Sequence, residues 1–84
     1  MSNYEKEIEV MEFILKVADE LETVTCSFYH GMEDTTVELH DVMNGKTMRI
    51  SLERGELEKS SVERLEEAKE KLHKAILDNF VGGY

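Results

Sequence analysis

The apolar residues of this chain change their period twice. From Asn3 to Glu22 they recur at spacings of three and four: Ile8, Met11, Ile14, Leu15, Ala18 and Leu21. That is one stripe of an amphipathic helix. From Val24 to Leu52 they alternate instead, through Val24, Cys26 and Phe28, then Val37 and Leu39, then Met48, Ile50 and Leu52. Alternation with polar residues reads as half-buried antiparallel strands. From Ser60 the helical spacing returns with Val62, Leu65, Ala68, Leu72, Ile76 and Phe80. A strand set with one apolar face must bury it against a helical layer. The expected fold is therefore α+β: a two-layer α-β-β-β-α arrangement, a three-stranded antiparallel meander with both helices on one face. The 84 residues suit one domain over 1–84. Expected boundaries are a helix over about 3–22, strands over about 24–30, 35–43 and 46–53, a helix over about 60–80, and a short tail.

Local signals refine this frame. Ser2 or Asn3 is placed to cap the first helix, with Glu5 and Glu7 in its first turn where the helix dipole favours acids. Asn44-Gly45 suits a two-residue hairpin turn, whose two positions need positive φ. Counting outward from it sets His40 opposite Arg49, Leu39 opposite Ile50, Val37 opposite Leu52 and Thr36 opposite Glu53. A four-residue loop, Gly31 to Asp34, pairs Phe28 with Val37 and Cys26 with Leu39. Both registers bring all the apolar strand positions to one face, and a one-residue slip would turn every one outward. Thr25, Ser27, Tyr29, Glu38, His40, Val42, Thr47, Arg49 and Ser51 then form the wet face. Ser60 with Glu63 fits a capping box. Glu67–Lys71 and Glu70–Lys74 are favourable i, i+4 pairs, and Gly82-Gly83 ends the helix.

Catalytic patterns are missing from the sequence. His30, His40 and His73 make no HxH, HxxxH or HExxH spacing, and no GxGxxG, GKS, GKT or GxSxG occurs. Glu38, His40 and Arg49 share the wet face, and cross-strand pairing accounts for them without a metal. A pocket enzyme would need a deep cavity at those three. Cys26, the lone cysteine, falls on the inner face as an inert thiol. A single cysteine and a start, MSNYEKEIEV, without a signal region agree with the cytoplasm. Neither an enzyme nor a cofactor or metal protein is expected. No apolar run reaches membrane-spanning length.

The charge carries the functional expectation. Nineteen acids against ten bases leave a net charge of −9, which disfavours direct contact with nucleic acid or anionic lipid. It is unevenly placed: residues 1–22 net −5, residues 23–59 net −3, and residues 60–84 net −1. Two acidic groups stand out. Glu5, Glu9, Glu12, Asp19 and Glu20 run along the first helix, spaced by about 6 Å for each four-residue step. Glu33 and Asp34 in the first hairpin loop lie at the same sheet end as Glu53, Glu56 and Glu58. The phosphates of one DNA strand follow one another every ~3.4 Å along the axis, so a carboxylate ridge reaches a charge density of the same order.

The α-β-β-β-α order resembles the double-stranded-RNA-binding domain. That family grips phosphates with lysines at the start of its second helix, whereas this chain has Ser60-Ser61-Val62-Glu63-Arg64-Leu65-Glu66-Glu67. RNA binding is therefore not expected to carry over with the fold order. Order, size and charge sign are also similar to small acidic phage proteins that mimic DNA, among them anti-CRISPR proteins and blockers of the nucleoid protein HU. This resemblance rests on no shared motif. It implies an inhibitor that competes with DNA for the basic groove of a bacterial nucleic-acid-binding protein such as a nucleoid protein, nuclease or polymerase. The ten acids named above would be its contact residues. The alternative is a small adaptor, with acidity serving solubility alone, that dimerises through its sheet and meets a partner through Tyr29, Val42 and the Phe80–Tyr84 tail. A core of about 15 to 18 apolar side chains is thin for a monomer of this length, which favours a homodimer.

Overall fold

In a computed structural model, residues 4–81 are described. They form α1 (Glu5–Glu20), β1 (Val24–His30), β2 (Asp34–Asp41), β3 (Thr47–Glu53), α2 (Arg54–Lys59) and α3 (Val62–Phe80). The strands make an antiparallel meander in the order β1-β2-β3. The helices cover one face of it, so the expected two-layer α+β fold stands. β2 shows why: Thr35, Val37, Leu39 and Asp41 are buried while Asp34, Thr36, Glu38 and His40 are not. Twelve apolar side chains are buried among the described residues, drawn from α1, α3 and the inner sheet face. Half-buried Met11, Phe13, Cys26, Phe28, Met48, Leu57 and Leu72 pack around them.

The first hairpin has the expected register, with Phe28 opposite Val37 and Cys26 opposite Leu39. The second is shifted by two residues. Val37 faces Ile50, Leu39 faces Met48, Glu38 faces Arg49 and Asp34 faces Glu53. The turn chemistry explains the shift. A two-residue turn needs positive φ at both Asn44 and Gly45, and only Gly45 has it, at +78°. The turn instead spans residues 42–45. Gly45 N–H donates to the Asp41 carbonyl, Met43 N–H to Asp41 Oδ1, and Lys46 N–H to Asn44 Oδ1. β2 accordingly ends at Asp41 rather than Met43. A shift of two keeps the parity, so the buried set is unchanged.

The helices differ more. The buried face of α1 is Glu7, Val10, Ile14, Val17 and Ala18, whereas Ile8 and Leu15 are 45 % and 46 % exposed. The expected stripe is thus rotated. Two apolar stripes overlap on this helix, and an acid at the centre of the true one disguised it. Residues 54–59, expected as loop, form the short helix α2. The α3 cap is Ser61, whose side chain accepts from Arg64 N–H, and Ser60 instead donates to the Glu56 carbonyl. With Arg64 in the third position there is no capping box. Val62 is exposed. The Glu67–Lys71 and Glu70–Lys74 pairs are not formed; Lys69 binds Glu66 and, across to α1, Glu9. Among the described residues the Lys69–Glu66 pair is the one ion pair within α3. Ser2, Asn3 and Gly82 to Tyr84 lie outside the described residues. No described helix is long and apolar enough to cross a membrane.

Candidate functional site

The acidic ridge of α1 follows from helical geometry. At about 100° per residue, Glu5, Glu9, Glu12, Asp19 and Glu20 fall within about 100° of arc. All five are exposed, opposite the buried face. Lys16 stands among them. Glu9 is tied to Lys69 at 2.6 Å. That hydrogen bond is the main cause that holds the Lys69 ammonium above its ordinary pKa, with Glu66 adding to it and burial opposing. The other four carboxylates make no ion pair among the described residues.

The second acidic group surrounds a cleft of about 670 Å³ between the β1–β2 loop and α2. Glu33, Asp34, Glu53, Glu56 and Glu58 all line it, with Met32, Arg54, Gly55 and Lys59. The structure thus brings these five acids together, as the sequence placed them at one sheet end. Their roles differ. Glu58 Oε2 accepts the backbone N–H of Lys6 at 2.9 Å and of Glu7 at 3.0 Å. It caps α1 from another helix, where a carboxylate meets the positive end of the dipole. Glu58 thus serves the fold through this oxygen while it lines the cleft. Asp34 Oδ2 accepts from Ser51. Glu33, Glu53 and Glu56 project with no side-chain partner among the described residues.

Behind this cleft is a polar cluster that sequence reasoning missed. Glu7 is 1 % exposed. Its Oε2 lies 3.1 Å from Arg54 Nε, and its Oε1 lies 3.9 Å from His30 Nδ1. Neither Glu7 Oε2 nor Arg54 Nε has an aligned hydrogen bond, so charge alone holds that contact. The two outer nitrogens of Arg54 donate to the carbonyls of Met32 and Gly31 at 2.6 and 2.9 Å, and Nη2 reaches the His30 ring. The guanidinium also lies over the Tyr4 ring at 5.0 Å. A signal existed. Glu7 sits three, four and seven residues before Val10, Met11 and Ile14, on the apolar arc itself.

The remaining candidates are dispersed. Glu38 pairs with Arg49 at 3.0 Å and His40 with Thr47 at 2.9 Å, on the open face of the sheet and away from the cleft. No three His, Cys, Asp or Glu side chains come together as a metal-binding set among the described residues. Tyr29 and Val42 are exposed, whereas Phe80 is buried in the core and is not free to meet a partner. Cys26 is half-buried, and desolvation pushes its thiol pKa up. No protein-family model, no curated protein and no solved structure matches the chain.

Proposed function

We propose that this protein is an acidic inhibitor that occupies the basic, nucleic-acid-binding groove of a protein partner. The observation that carries the reading is the row of carboxylates on the solvent face of α1. Glu5, Glu12, Asp19 and Glu20 are exposed and unpaired among the described residues, and Glu9 is shared with Lys69. They stand on a helix whose opposite face is locked into the core. A folded helix incurs no backbone ordering cost when a basic groove closes on it, and its field speeds the encounter. Glu33, Glu53 and Glu56 form a second acidic group at the cleft beside α2, which Glu58 ties to the N-terminal end of α1. Glu58 is not a contact residue in this reading.

The test is capture from bacterial lysate on immobilised protein, beside a variant carrying Glu5→Gln, Glu12→Gln, Asp19→Asn and Glu20→Gln. Basic nucleic-acid-binding proteins should be retained at low salt by the unaltered chain only. They should be released by salt and by excess duplex DNA. Retention that ignores salt, DNA and the four substitutions overturns the reading.

A further inference from the structure

We propose that Asn44 is a self-modifying site, at which the Gly45 nitrogen attacks the side-chain amide and leaves aspartate and isoaspartate in the β2–β3 turn. The inference rests on this turn and not on the acidic surfaces, so it stands apart from the inhibitor reading. The chain has three asparagines and no glutamine. Asn3 lies outside the described residues and precedes Tyr4. Asn79 is set in α3, its Nδ2 is buried, and the bulky Phe80 follows it. Asn44 alone is followed by glycine, and both residues are exposed.

Three features of the turn favour the attack. A side chain on the residue after an asparagine crowds the ring that the attack closes, and Gly45 has none. No neighbouring part of the fold crowds it either, since a Cβ placed at Gly45 would meet nothing within 4 Å. Lys46 N–H donates to Asn44 Oδ1 at 2.9 Å. That oxygen gains negative charge as the nitrogen adds to Cγ, and a donor already in place stabilises it. One feature opposes. Gly45 N–H donates to the Asp41 carbonyl at 2.8 Å, and that bond must open first. On an exposed turn water takes over such a bond readily, so it slows the attack by about tenfold or less.

The Gly45 nitrogen loses its proton to hydroxide and forms a bond to Asn44 Cγ. The Cγ–Nδ2 bond breaks, and the amide nitrogen takes a proton from water and leaves as ammonia. The result is a five-membered succinimide across residues 44 and 45, closed within one molecule and so helped by proximity. Water then opens it. Addition at Cγ gives aspartate. Addition at the main-chain carbonyl of residue 44 gives isoaspartate, with the chain rerouted through Cβ and Cγ. Water is the one co-reactant, and no electron is transferred. Either product adds a carboxylate to a chain of net charge −9. Aspartate keeps an acceptor for Lys46 N–H, whereas isoaspartate puts an extra main-chain carbon into the turn that sets the β2–β3 register.

Peptide mapping by mass spectrometry tests this on the full, folded chain, held for weeks at neutral and at mildly alkaline pH. The peptide carrying Asn44 should gain about 1 Da and split into two products, one of them methylated by an isoaspartate methyltransferase. The rate should rise about tenfold per pH unit, because the Gly45 nitrogen must lose a proton. Asn44→Gln lengthens the side chain by one carbon and should abolish the gain, while Asn79 should stay intact. The same chain unfolded in guanidinium chloride sets the reference, and the folded rate should lie within about tenfold of it. No gain in the folded chain, a gain that survives Asn44→Gln, or a folded rate more than about tenfold below the unfolded one overturns the proposal. Loss of partner capture by the acid-neutralised variant leaves it untouched.

Discussion

A carboxylate buried as deeply as Glu7 costs several kcal/mol unless a cation faces it, and Arg54 is that cation. Arg54 does more than neutralise. Its fork holds the carbonyls of Gly31 and Met32 while Nε faces Glu7, so one side chain fastens α1, the β1–β2 loop and the start of α2. Arg54→Ala should therefore lower stability by about 3–5 kcal/mol, because it strands the Glu7 charge. Arg54→Lys should recover little, since an ammonium cannot span the fork. Glu7→Leu combined with Arg54→Met should be less damaging than Arg54→Ala alone. Urea unfolding of the four proteins measures this. The pair was hard to read from sequence because its members belong to different elements, and an acid within an apolar stripe counts against the stripe. Arg54 had no pattern of its own; only the depth of Glu7 makes sense of it.

The elements show which sequence signals carry physical weight. Parity along the strands was legible, because each apolar side chain must reach the same core. The register of the second hairpin was not, because it depended on whether Asn44 adopts positive φ, and Asp41 offered a competing turn. The rotation of α1 was obscured by two overlapping stripes. Helix α2 was unreadable as a helix: six residues, none buried, held by the bonds of Arg54, Glu58 and Ser60. Between α1 and β1, Glu22 carries a φ of +56°, a conformation that costs a non-glycine residue about 1–2 kcal/mol. Glu22→Gly relieves that strain and loosens the unfolded chain, for a net gain of about 0.5–1 kcal/mol. Ser61→Ala removes the side-chain bond that caps α3 at Arg64 N–H and should cost about 1 kcal/mol. Thermal unfolding of the two variants should shift in opposite directions.

At the scale of the molecule, the sequence located the acid but not its use within the fold. Two of the ten expected contact residues, Glu9 and Glu58, turn out to hold α1 against α3 and α2. Which acids are free depends on partners from other elements, and spacing does not reveal those. The Arg54 fastening also orders events in time. The two hairpins close short loops, and their contacts are formed early. Joining residues 7, 31, 32 and 54 closes the longer loops and waits until α1 has docked beside the sheet and the start of α2. Arg54→Ala should thus speed unfolding and leave the folding rate nearly unchanged, whereas Leu39→Ala in the central strand should slow folding. Stopped-flow chevrons separate the two. The protein's lifetime in the folded state is then set at the mouth of the cleft by a single guanidinium, while its rate of arrival is set in the sheet.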